Sequence, residues 1–332
     1  MKEECQYLSV AGYGWSGSGA LMDLLREFDT IGEFDMELRI LRDPNGVIDL
    51  EYQMVERWDA LNVDIAIKEF LSLAKKMARK RTKFKIGGEL DELFDGQFYQ
   101  CAVDFVGEIT RFRYNSYWWF LDFRASYFRW LSQRIARRIN HKSYGEEAYF
   151  GKIDRDEFHK AVQSYMDALV RVFNADKKYD YFIIEQAFSP SYPQKAFDYC
   201  RGTKVIVVDR DPRDIYVELI KNRKIIGYDL EDSHDAMKYV EWHKAYRVSI
   251  ESDNSNILYL KFEDLVYHYD EVLVEILEFI QVDGVELNHV RKMQLFNPQI
   301  SEKNIGQHKI YKHQSEIKII EKELGKYLYV HS

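Results

Sequence analysis

YLSVAGYGWSGSGALMDLL, residues 7–25, is the stretch that decides the predicted fold. It begins with an apolar run that predicts a buried strand, and it continues into a loop with four glycines and two serines. The loop leads into apolar residues at the spacing of a helix, namely Leu21, Leu24, Leu25 and Phe28. Glycines let a backbone approach an anion closely, and the unpaired amides at a helix N-terminus point toward it. The stretch therefore predicts a cradle for a phosphorylated ligand.

The candidate ligand-binding residues of this loop differ from those of an ATP-hydrolysing loop. They are the consecutive residues Gly14, Trp15, Ser16, Gly17, Ser18, Gly19 and Ala20. The Walker pattern places a lysine directly after its second glycine, but here Ser18 follows Gly17 and Ala20 follows Gly19. The loop is thus poorly suited to ATP hydrolysis, and a glycine-rich turn without a ligand is the alternative interpretation.

Composition narrows the class of protein. The 332 residues are 46 % apolar and 31 % charged, which is typical of a globular chain with a substantial core. The net charge of −8 disfavours a general nucleic-acid binder, which would normally be basic. Three widely spaced cysteines predict neither a disulfide framework nor a zinc site, and they indicate a reducing compartment. Since the sequence has no signal-peptide pattern and no run of about 18 apolar residues, we expect a cytoplasmic protein.

Five short strand candidates alternate with helical patterns along the chain. They are residues 7–12, 31–40, 181–186, 204–209 and 257–262. The second candidate alternates polar and apolar side chains, whereas the fourth is apolar almost throughout, as a strand covered on both faces should be. Strands that alternate with helices predict an α/β fold, with a central parallel sheet of about five strands flanked by helices in a P-loop-NTPase-like arrangement.

Polar side chains occur at the end of each strand candidate. They are Ser16 and Ser18, Glu37, Glu185 and Gln186, Arg210, and Glu263 with Asp264. Ligands of open parallel sheets bind at the carboxyl ends of the strands. We therefore expect these side chains to converge on one site.

Residues 52–176, between the second and third strand candidates, predict a mostly helical insertion. Amphipathic spacing indicates helices over 64–78 and 158–173. No repeat or low-complexity linker interrupts the chain. We therefore expect residues 1–332 to form a single domain in which this insertion covers one side of the sheet.

The insertion contains a basic and aromatic run at residues 111–142, with eight Arg and Lys residues against one acid, Asp122. One interpretation is an acceptor-binding wall that offers aromatic faces to sugar rings and cations to an anionic group. A second is a peripheral contact with an anionic membrane surface. The third is an amphipathic helix that packs its aromatic residues inward and exposes its arginines to water.

A second candidate anion site follows the fourth strand candidate. Arg210 emerges at the carboxyl end of that strand, and its planar guanidinium suits bidentate phosphate binding. Pro212 is well placed in the first turn of the next helix, and Arg213 supplies another cation. An ordinary surface pairing between arginine and aspartate is the alternative interpretation.

These stretches together resemble the PAPS-dependent sulfotransferases, in a divergent form of the bacterial carbohydrate type. Residues 15–19 look like their 5′-phosphosulfate loop, and residues 207–214 look like their 3′-phosphate motif, a strand ending in Arg-x-Pro-x-Asp. Residues 258–265 are similar to their Tyr-Glu-Asp-Leu segment, and residues 301–309 resemble the loop that closes over the nucleotide. The resemblance implies PAPS as sulfonate donor and PAP as product. It also adds Lys303, Asn304 and Gly306 to the candidate nucleotide-binding residues.

Two positions depart from the family pattern. The family usually has Lys or Arg just before the Ser-Gly of its loop, where this chain has Trp15. It usually has a serine eight residues after the motif arginine, where this chain has Glu218. A glutamate beside a phosphate is repulsive unless a cation such as Arg213, Lys221 or Arg223 intervenes.

Carboxylates near the ends of the second and third strand candidates could serve as a general base. Family resemblance favours Glu37, because carbohydrate sulfotransferases often use a carboxylate just beyond the second strand. Glu33 and Asp35 share the face of Glu37, and like charges at such spacing raise one another's pKa. Glu185 is the competing candidate, and His141 is a weaker one. The nine histidines show no metal-ligand spacing. The resemblance implies that no metal is needed, because the sulfonate donor requires none in this family.

The sequence thus predicts a sulfotransferase that moves a sulfonate group from PAPS to a hydroxyl of a carbohydrate or glycan precursor. Catalysis would rest on in-line positioning and electrostatics, with a carboxylate base. A P-loop kinase or related phosphotransferase is one alternative, since the cradle and the parallel sheet would suit it. A nucleotide-binding relative without catalytic activity is the other, because the loop cation is absent at Trp15.

Overall fold

The computed structural model describes residues 6–34, 36–83, 85–118, 120, 123, 125–140, 145–173, 179–247, 254–280 and 287–330. Asp35, which the sequence placed on the same face as Glu37, and His141, the weaker candidate for the base, lie outside these residues. The chain divides into two compact units. The first comprises Met1–Arg39 and Asp176–Ser332, and the second comprises Ile40–Ala175.

The secondary structure follows in chain order. The strands are β1 (Gln6–Gly12), β2 (Ile31–Glu33), β3 (Phe112–Ser116), β4 (Glu146–Phe150), β5 (Tyr181–Glu185), β6 (Lys204–Asp209) and β7 (Ile257–Lys261). The α-helices are α1 (Ser18–Leu25), α2 (Val47–Glu51), α3 (Ala60–Ala78), α4 (Leu90–Leu93), α5 (Phe98–Ile109), α6 (Tyr127–Asn140), α7 (Arg155–Phe173), α8 (Lys195–Tyr199), α9 (Pro212–Asn222), α10 (Gly227–Ser233), α11 (Ala236–Ala245), α12 (Phe262–Tyr267), α13 (Tyr269–Ile280), α14 (Pro298–Ser301) and α15 (Gln314–Glu323). Short 3₁₀ segments occupy Arg39–Leu41, Glu302–Asn304, Gln307–Ile310 and Gly325–Tyr327, and a π-helix occupies Tyr52–Glu56.

The first unit is built on a five-stranded parallel sheet in the order β2-β5-β1-β6-β7. The central strand β1 pairs with β5 from Gln6 opposite Tyr181, and with β6 from Leu8 opposite Lys204. Helices flank the sheet, so the predicted α/β fold class is confirmed. Because β1 is central, the loop that follows it opens at the middle of the carboxyl edge, where such sheets bind ligands.

The second strand is much shorter than predicted. The sequence indicated a strand over 31–40, but only Ile31–Glu33 pair with β5. Beyond Glu33, the alternation of polar and apolar residues does not reflect a strand. Phe34, Leu38 and Ile40 are buried, but their backbone does not pair with β5. The Leu38 amide still donates to the Glu185 carbonyl at 3.0 Å, which keeps this segment beside the end of β5.

Among the described residues, two apolar clusters pack elements of the first unit against one another. One packs sheet residues such as Val10 and Ile206 against α1, α12 and α13. The other joins α9, α10, α11 and α15 around Tyr216, Tyr239 and Ile317. Trp15 packs against this second cluster, so its indole is an apolar anchor for the glycine loop.

The second unit is mostly helical. Its core contains a run of aromatic rings from three helices, in which Phe105 lies 5.5 Å from Phe70 and stacks on Tyr165 at 5.1 Å. The predicted helices over 64–78 and 158–173 correspond to α3 and α7. The fully buried Asp64 accepts a bond from the Tyr149 amide at 3.0 Å and so joins α3 to β4.

The basic and aromatic run at 111–142 does not form a single helix with inward aromatic residues. Its first part is β3, which pairs antiparallel with β4, and its later part is α6. Several of its described aromatic side chains are exposed, among them Phe123, Tyr127 and Phe128. Lys142, like His141, lies outside the described residues. The acceptor-wall and membrane-surface interpretations stay predictions. Among the described helices, none is long and apolar enough to cross a bilayer.

Candidate functional site

The loop between β1 and α1 turns through left-handed backbone conformations at Gly14 (φ 80°), Trp15 (φ 51°) and Gly17 (φ 95°). Glycine suits such a φ because it has no Cβ. Gly17 has a second requirement, since a Cβ there would lie 2.4 Å from the Phe262 ring. The loop therefore closes tightly against the start of α12, which lies within the third resembled stretch.

Ser16 holds the loop together through its side chain. Its buried hydroxyl donates to the Val208 carbonyl at 2.7 Å and accepts from the Tyr13 amide at 3.0 Å. We expected the Ser16 hydroxyl to face a ligand, but the structure uses it to tie the loop to the end of β6. In the described structure, Ser16 thus acts on the site by shaping the backbone.

The N-terminus of α1 presents backbone donors. Ala20 and Leu21 make the first bonds to the Gly17 carbonyl, so the amides of Ser18 and Gly19 ahead of them have no intrahelical acceptor. The cap residue Gly17 provides no side-chain cap. The helix dipole places partial positive charge at the same point, which favours an anion there.

A charged network supports the start of the loop. Arg247 packs over the Tyr13 ring with 3.8 Å between its guanidinium carbon and the ring centre, and it donates to Asp209 at 2.6 Å. Burial opposes ionisation of Asp209, but the charges of Arg247 and Lys261 outweigh it and lower the Asp209 pKa. The ends of β1 and β6 are thereby held in a fixed relation.

Arg210 connects three of the resembled stretches. Its guanidinium donates to the Trp15 carbonyl at 3.1 Å and to the Asn304 carbonyl, and it lies over the Phe262 ring. The side chain is buried, and no carboxylate among the described residues lies within salt-bridge distance of it. Its Nε has no hydrogen-bond partner in the described part of the chain. A buried cation without an ion pair is costly, so its charge is available to an anionic ligand.

The turn after β6 joins the remaining stretches. Buried Glu263 accepts from the Asp211 amide at 2.8 Å. Asp214 accepts from the Gly306 amide at 2.7 Å and from the His308 ring at 2.7 Å. Burial opposes ionisation of Asp214, but these hydrogen bonds outweigh it and lower the Asp214 pKa. The structure therefore brings together all four stretches on which the resemblance depends.

Some predicted nucleotide-binding residues lie outside the cavity at this site. Arg213 is held by Asp211 at 2.6 Å and by Glu321 at 2.9 Å, which raises its pKa further. Gly306 anchors its segment to Asp214, and the side chain of Lys303 is exposed. None of these three lines the cavity. Arg213 and Gly306 connect neighbouring segments, and the Lys303 side chain faces solvent.

A cavity of about 600 Å³ opens beside the N-terminus of α1 and Arg210. Of the predicted residues, its lining includes Trp15, Gly17, Ser18, Gly19, Ala20, Arg210, Glu218 and Asn304. Among the described lining residues, Arg210 is the one cationic side chain, whereas Asp23 and Glu218 are both acidic. Glu218 is partly balanced by Lys221 at 3.4 Å and Asn222 at 3.0 Å. Glu218 therefore contributes a negative charge to the cavity lining, with Lys221, one of the cations considered from the sequence, beside it.

Residues 293–297 form a wall of this cavity that sequence reasoning missed. Buried Glu27 holds the wall, since its carboxylate accepts from the amides of Met293, Leu295 and Phe296 at 2.8–3.1 Å and contacts the His289 ring at 2.7 Å. Burial opposes ionisation of Glu27, but these bonds outweigh it and lower the Glu27 pKa. No motif signals this arrangement, because a lone glutamate at the end of a helix is common.

The three carboxylates predicted as base candidates lie near one another at the ends of β2 and β5. Glu33 is ion-paired with Arg26, and half-exposed Glu37 lies 3.4 Å from Arg39. Burial, followed by the negative charges of Glu37 and Glu33, raises the pKa of Glu185 to about 7. Burial, assisted by these charges, thus makes Glu185 a group that takes up a proton near neutral pH.

Gln186, the residue after Glu185, connects the end of β5 to the glycine loop. Gln186 adopts a left-handed conformation (φ 52°), and its side-chain amide donates to the Ser18 hydroxyl at 3.2 Å. Its backbone amide donates to the Val10 carbonyl at 2.9 Å. Glu185 is therefore positioned one residue away from a direct contact with the start of α1.

Comparison with known proteins gives a limited result. No family model and no curated protein matches the chain. Among solved structures, sulfotransferase STF9 from Mycobacterium avium is 10 % identical with a TM-score of 0.38, and the match covers 98 % of this chain and 77 % of that one. The sulfotransferase domain of the Synechococcus PCC 7002 olefin synthase is 10 % identical with a TM-score of 0.40, covering 100 % and 98 %. Likeness at this level does not assign a function.

Proposed function

We propose that this chain is a sulfotransferase that moves a sulfonate group from PAPS to a hydroxyl of a carbohydrate or glycan precursor. The observation that carries the proposal is the position of Arg210. It is a buried cation without a carboxylate partner among the described residues, it lines the cavity, and it is bonded to the glycine loop. This arrangement offers a nucleotide donor two anion contacts, the guanidinium and the amides at the start of α1.

The transfer step places the acceptor oxygen in line with the bond between sulfur and the 5′-phosphate oxygen of the donor. The acceptor oxygen attacks sulfur, the bond to the phosphate oxygen breaks, and PAP leaves with the released electron pair. The hydroxyl proton passes to the Glu185 carboxylate. The amides of Ser18 and Gly19 stabilise the negative charge that develops on the departing phosphate.

The carbohydrate acceptor is what the resemblance of the sequence to carbohydrate sulfotransferases implies. In that family a sugar hydroxyl accepts the sulfonate group.

Binding of PAP to the purified protein tests the proposal directly. We expect one equivalent of PAP to bind and to raise the melting temperature, because a ligand that binds only the folded state stabilises it. Calorimetry and thermal unfolding would measure both effects, with 5′-AMP as a weaker control because it lacks the 3′-phosphate. If folded protein does not bind PAP, the proposal is wrong. Magnesium-dependent turnover of ATP would instead favour a kinase.

Replacing Glu218 with serine is expected to tighten PAP binding. The change removes a negative charge from the cavity lining and restores the residue type usual in the family at this position. A unit charge at such a site contributes about 1 kcal/mol, so we expect roughly fivefold tighter binding.

The effect should shrink as salt is added, because salt screens charges that face solvent. The control is Glu241→Ser, which removes an exposed glutamate from α11, outside the cavity lining. Unchanged affinity in Glu218→Ser would show that Glu218 does not face the donor.

A nucleotide-binding relative without transfer activity is the second candidate. It is favoured by the indole of Trp15, which packs into an apolar cluster where the family usually has a cation. Tight PAP binding with no sulfonate transfer to any member of a broad glycan panel would support it over the enzyme.

A further inference from the structure

Two histidines and a glutamate from separate parts of the first unit come together away from the cavity. They are His234, which follows α10, His313, which precedes α15, and Glu316 in the first turn of α15. The Glu316 carboxylate Oε1 lies 3.0 Å from Nδ1 of His234 and 4.0 Å from Nδ1 of His313. One potential ligand atom from each residue lies within 4.8 Å of the others.

These separations suit a single transition-metal ion. Zinc binds histidine nitrogen and carboxylate oxygen at about 2.0–2.2 Å, so tetrahedral geometry places its ligand atoms roughly 3.4 Å apart. The observed distances of 3.0 and 4.0 Å lie on either side of that value. His313 Nε2 is also buried without a hydrogen-bond partner among the described residues.

The carboxylate is oriented by two tyrosines. Glu316 Oε2 accepts from the Tyr216 hydroxyl at 2.7 Å and from the Tyr311 hydroxyl at 3.1 Å. Oε1 is consequently the oxygen turned toward the histidines. Hydrogen-bonded partners of this kind commonly fix metal-binding carboxylates.

We propose that His234, His313 and Glu316 bind one Zn²⁺ ion or a chemically similar divalent metal. The Glu316 side chain is only 6 % exposed, whereas the His234 side chain is 46 % exposed, so the metal enters from the solvent side. Water completes the coordination. The ion joins the end of α10 to the start of α15, and so stabilises the helices packed beside the glycine loop. This inference is independent of the proposed sulfotransferase activity.

The resemblance implied that no metal is needed, and the histidines show no metal-ligand spacing along the sequence. Such spacing identifies only ligands that lie close together along the chain. Here the ligands come from two regions that only the packing of α10 against its neighbours brings into contact, so sequence spacing could not reveal them.

Metal binding is tested on untagged full-length protein that has been treated with EDTA and desalted. Calorimetric titration with ZnCl₂ is expected to show one saturable site, and zinc is expected to raise the melting temperature. CoCl₂ is expected to give the visible absorption of a tetrahedral nitrogen and oxygen site. The double variant His234→Ala, His313→Ala should lose all three effects.

Two further variants keep the test decisive if the double variant folds poorly. Tyr311→Phe preserves shape but removes one bond to the carboxylate, and we expect roughly 10–100-fold weaker zinc binding. His268→Ala removes a histidine outside the cluster and should bind zinc as the wild type does. The proposal is overturned if the EDTA-treated protein has no saturable site, or if the folded double variant or Tyr311→Phe binds zinc with unchanged affinity.

Discussion

Replacing Arg210 with glutamine is expected to weaken PAP binding about 30-fold or more. Arg210 is the one cation among the described residues that line the cavity, and it is buried there without a carboxylate partner in the described chain. Charge-assisted hydrogen bonds of this kind contribute about 2–3 kcal/mol, and each 1.4 kcal/mol corresponds to about tenfold in affinity. Calorimetric titration with PAP measures the loss.

Arg210 also bonds to the carbonyls of Trp15 and Asn304, so glutamine could disturb the loop as well as the ligand. Arg210→Lys separates the two effects. It keeps the charge but loses the forked geometry, and we expect affinity between those of the wild type and the glutamine variant. Circular dichroism and thermal unfolding would show whether each variant is folded.

Lys303→Gln is the matched control for charge. Lys303 was predicted to bind the nucleotide, yet its exposed side chain does not line the cavity. We therefore expect its removal to change PAP affinity by less than about twofold, because exposed charges contribute little. If Lys303→Gln weakens binding as much as Arg210→Gln does, the nucleotide is held elsewhere.

The sequence predicts a strand well where burial of both faces determines its residue pattern. The strand at 204–209 is apolar and buried at its four central residues, and β6 has the predicted bounds. The strand predicted over 31–40 failed because alternation reports which side chains are buried, not which backbone groups pair. Phe34 and Leu38 are buried beyond the end of β2, and their backbone leaves the ladder.

The predictability of the candidate site depends on how local each feature is. The glycine loop could be identified because its residues are consecutive. Arg210 could be identified because it directly follows a clear strand. The bonds from Arg210 to the Asn304 carbonyl and from residues 293–296 to Glu27 connect distant parts of the chain, so no local pattern predicts them. Family resemblance supplied Asn304, and nothing in the sequence supplied Glu27.

The choice between Glu37 and Glu185 as the base also depends on the folded structure, because a local sequence pattern does not reveal how deeply each carboxylate is buried. The family resemblance favoured Glu37, and alternation added that Glu33 and Asp35 share its face, where like charges raise one another's pKa. The folded chain adds burial, which falls on Glu185 and not on half-exposed Glu37. Burial is the largest cause of the raised Glu185 pKa, and the charges of Glu37 and Glu33 come second.

Glu185→Gln is therefore expected to lower kcat by about 10²- to 10⁴-fold, the usual contribution of a general base, while leaving PAP affinity unchanged. Glutamine has nearly the same shape but cannot accept the hydroxyl proton. Initial rates with radiolabelled PAPS, and with the best acceptor from a panel of mono- and oligosaccharides, measure the loss. Calorimetry with PAP checks that the donor site is intact.

The pH dependence gives an independent check. A base must be deprotonated, so wild-type kcat/KM should rise with pH through about 7, the pKa of Glu185. In Glu185→Gln this rise should disappear.

The stability of the protein should depend on pH through the same group. Because folding raises the Glu185 pKa above its ordinary value, the native state binds more protons than the unfolded state between the two pKa values. The contribution of Glu185 to stability is therefore lost as pH rises through that window. Glu185→Gln removes this loss, so its melting temperature relative to wild type should increase between about pH 4.5 and 7.

Glu37→Gln distinguishes the two carboxylates. If Glu185 is the base, removing the neighbouring charge of Glu37 lowers the Glu185 pKa, and the rise of kcat/KM with pH shifts to lower pH while kcat changes little. If Glu37 is the base, Glu37→Gln loses activity and Glu185→Gln retains it. Loss of activity in Glu37→Gln together with retained activity in Glu185→Gln would contradict the assignment of Glu185 as the base. Because the two side chains carry the same chemical group, the difference between them would measure what burial at the end of β5 contributes to the reaction.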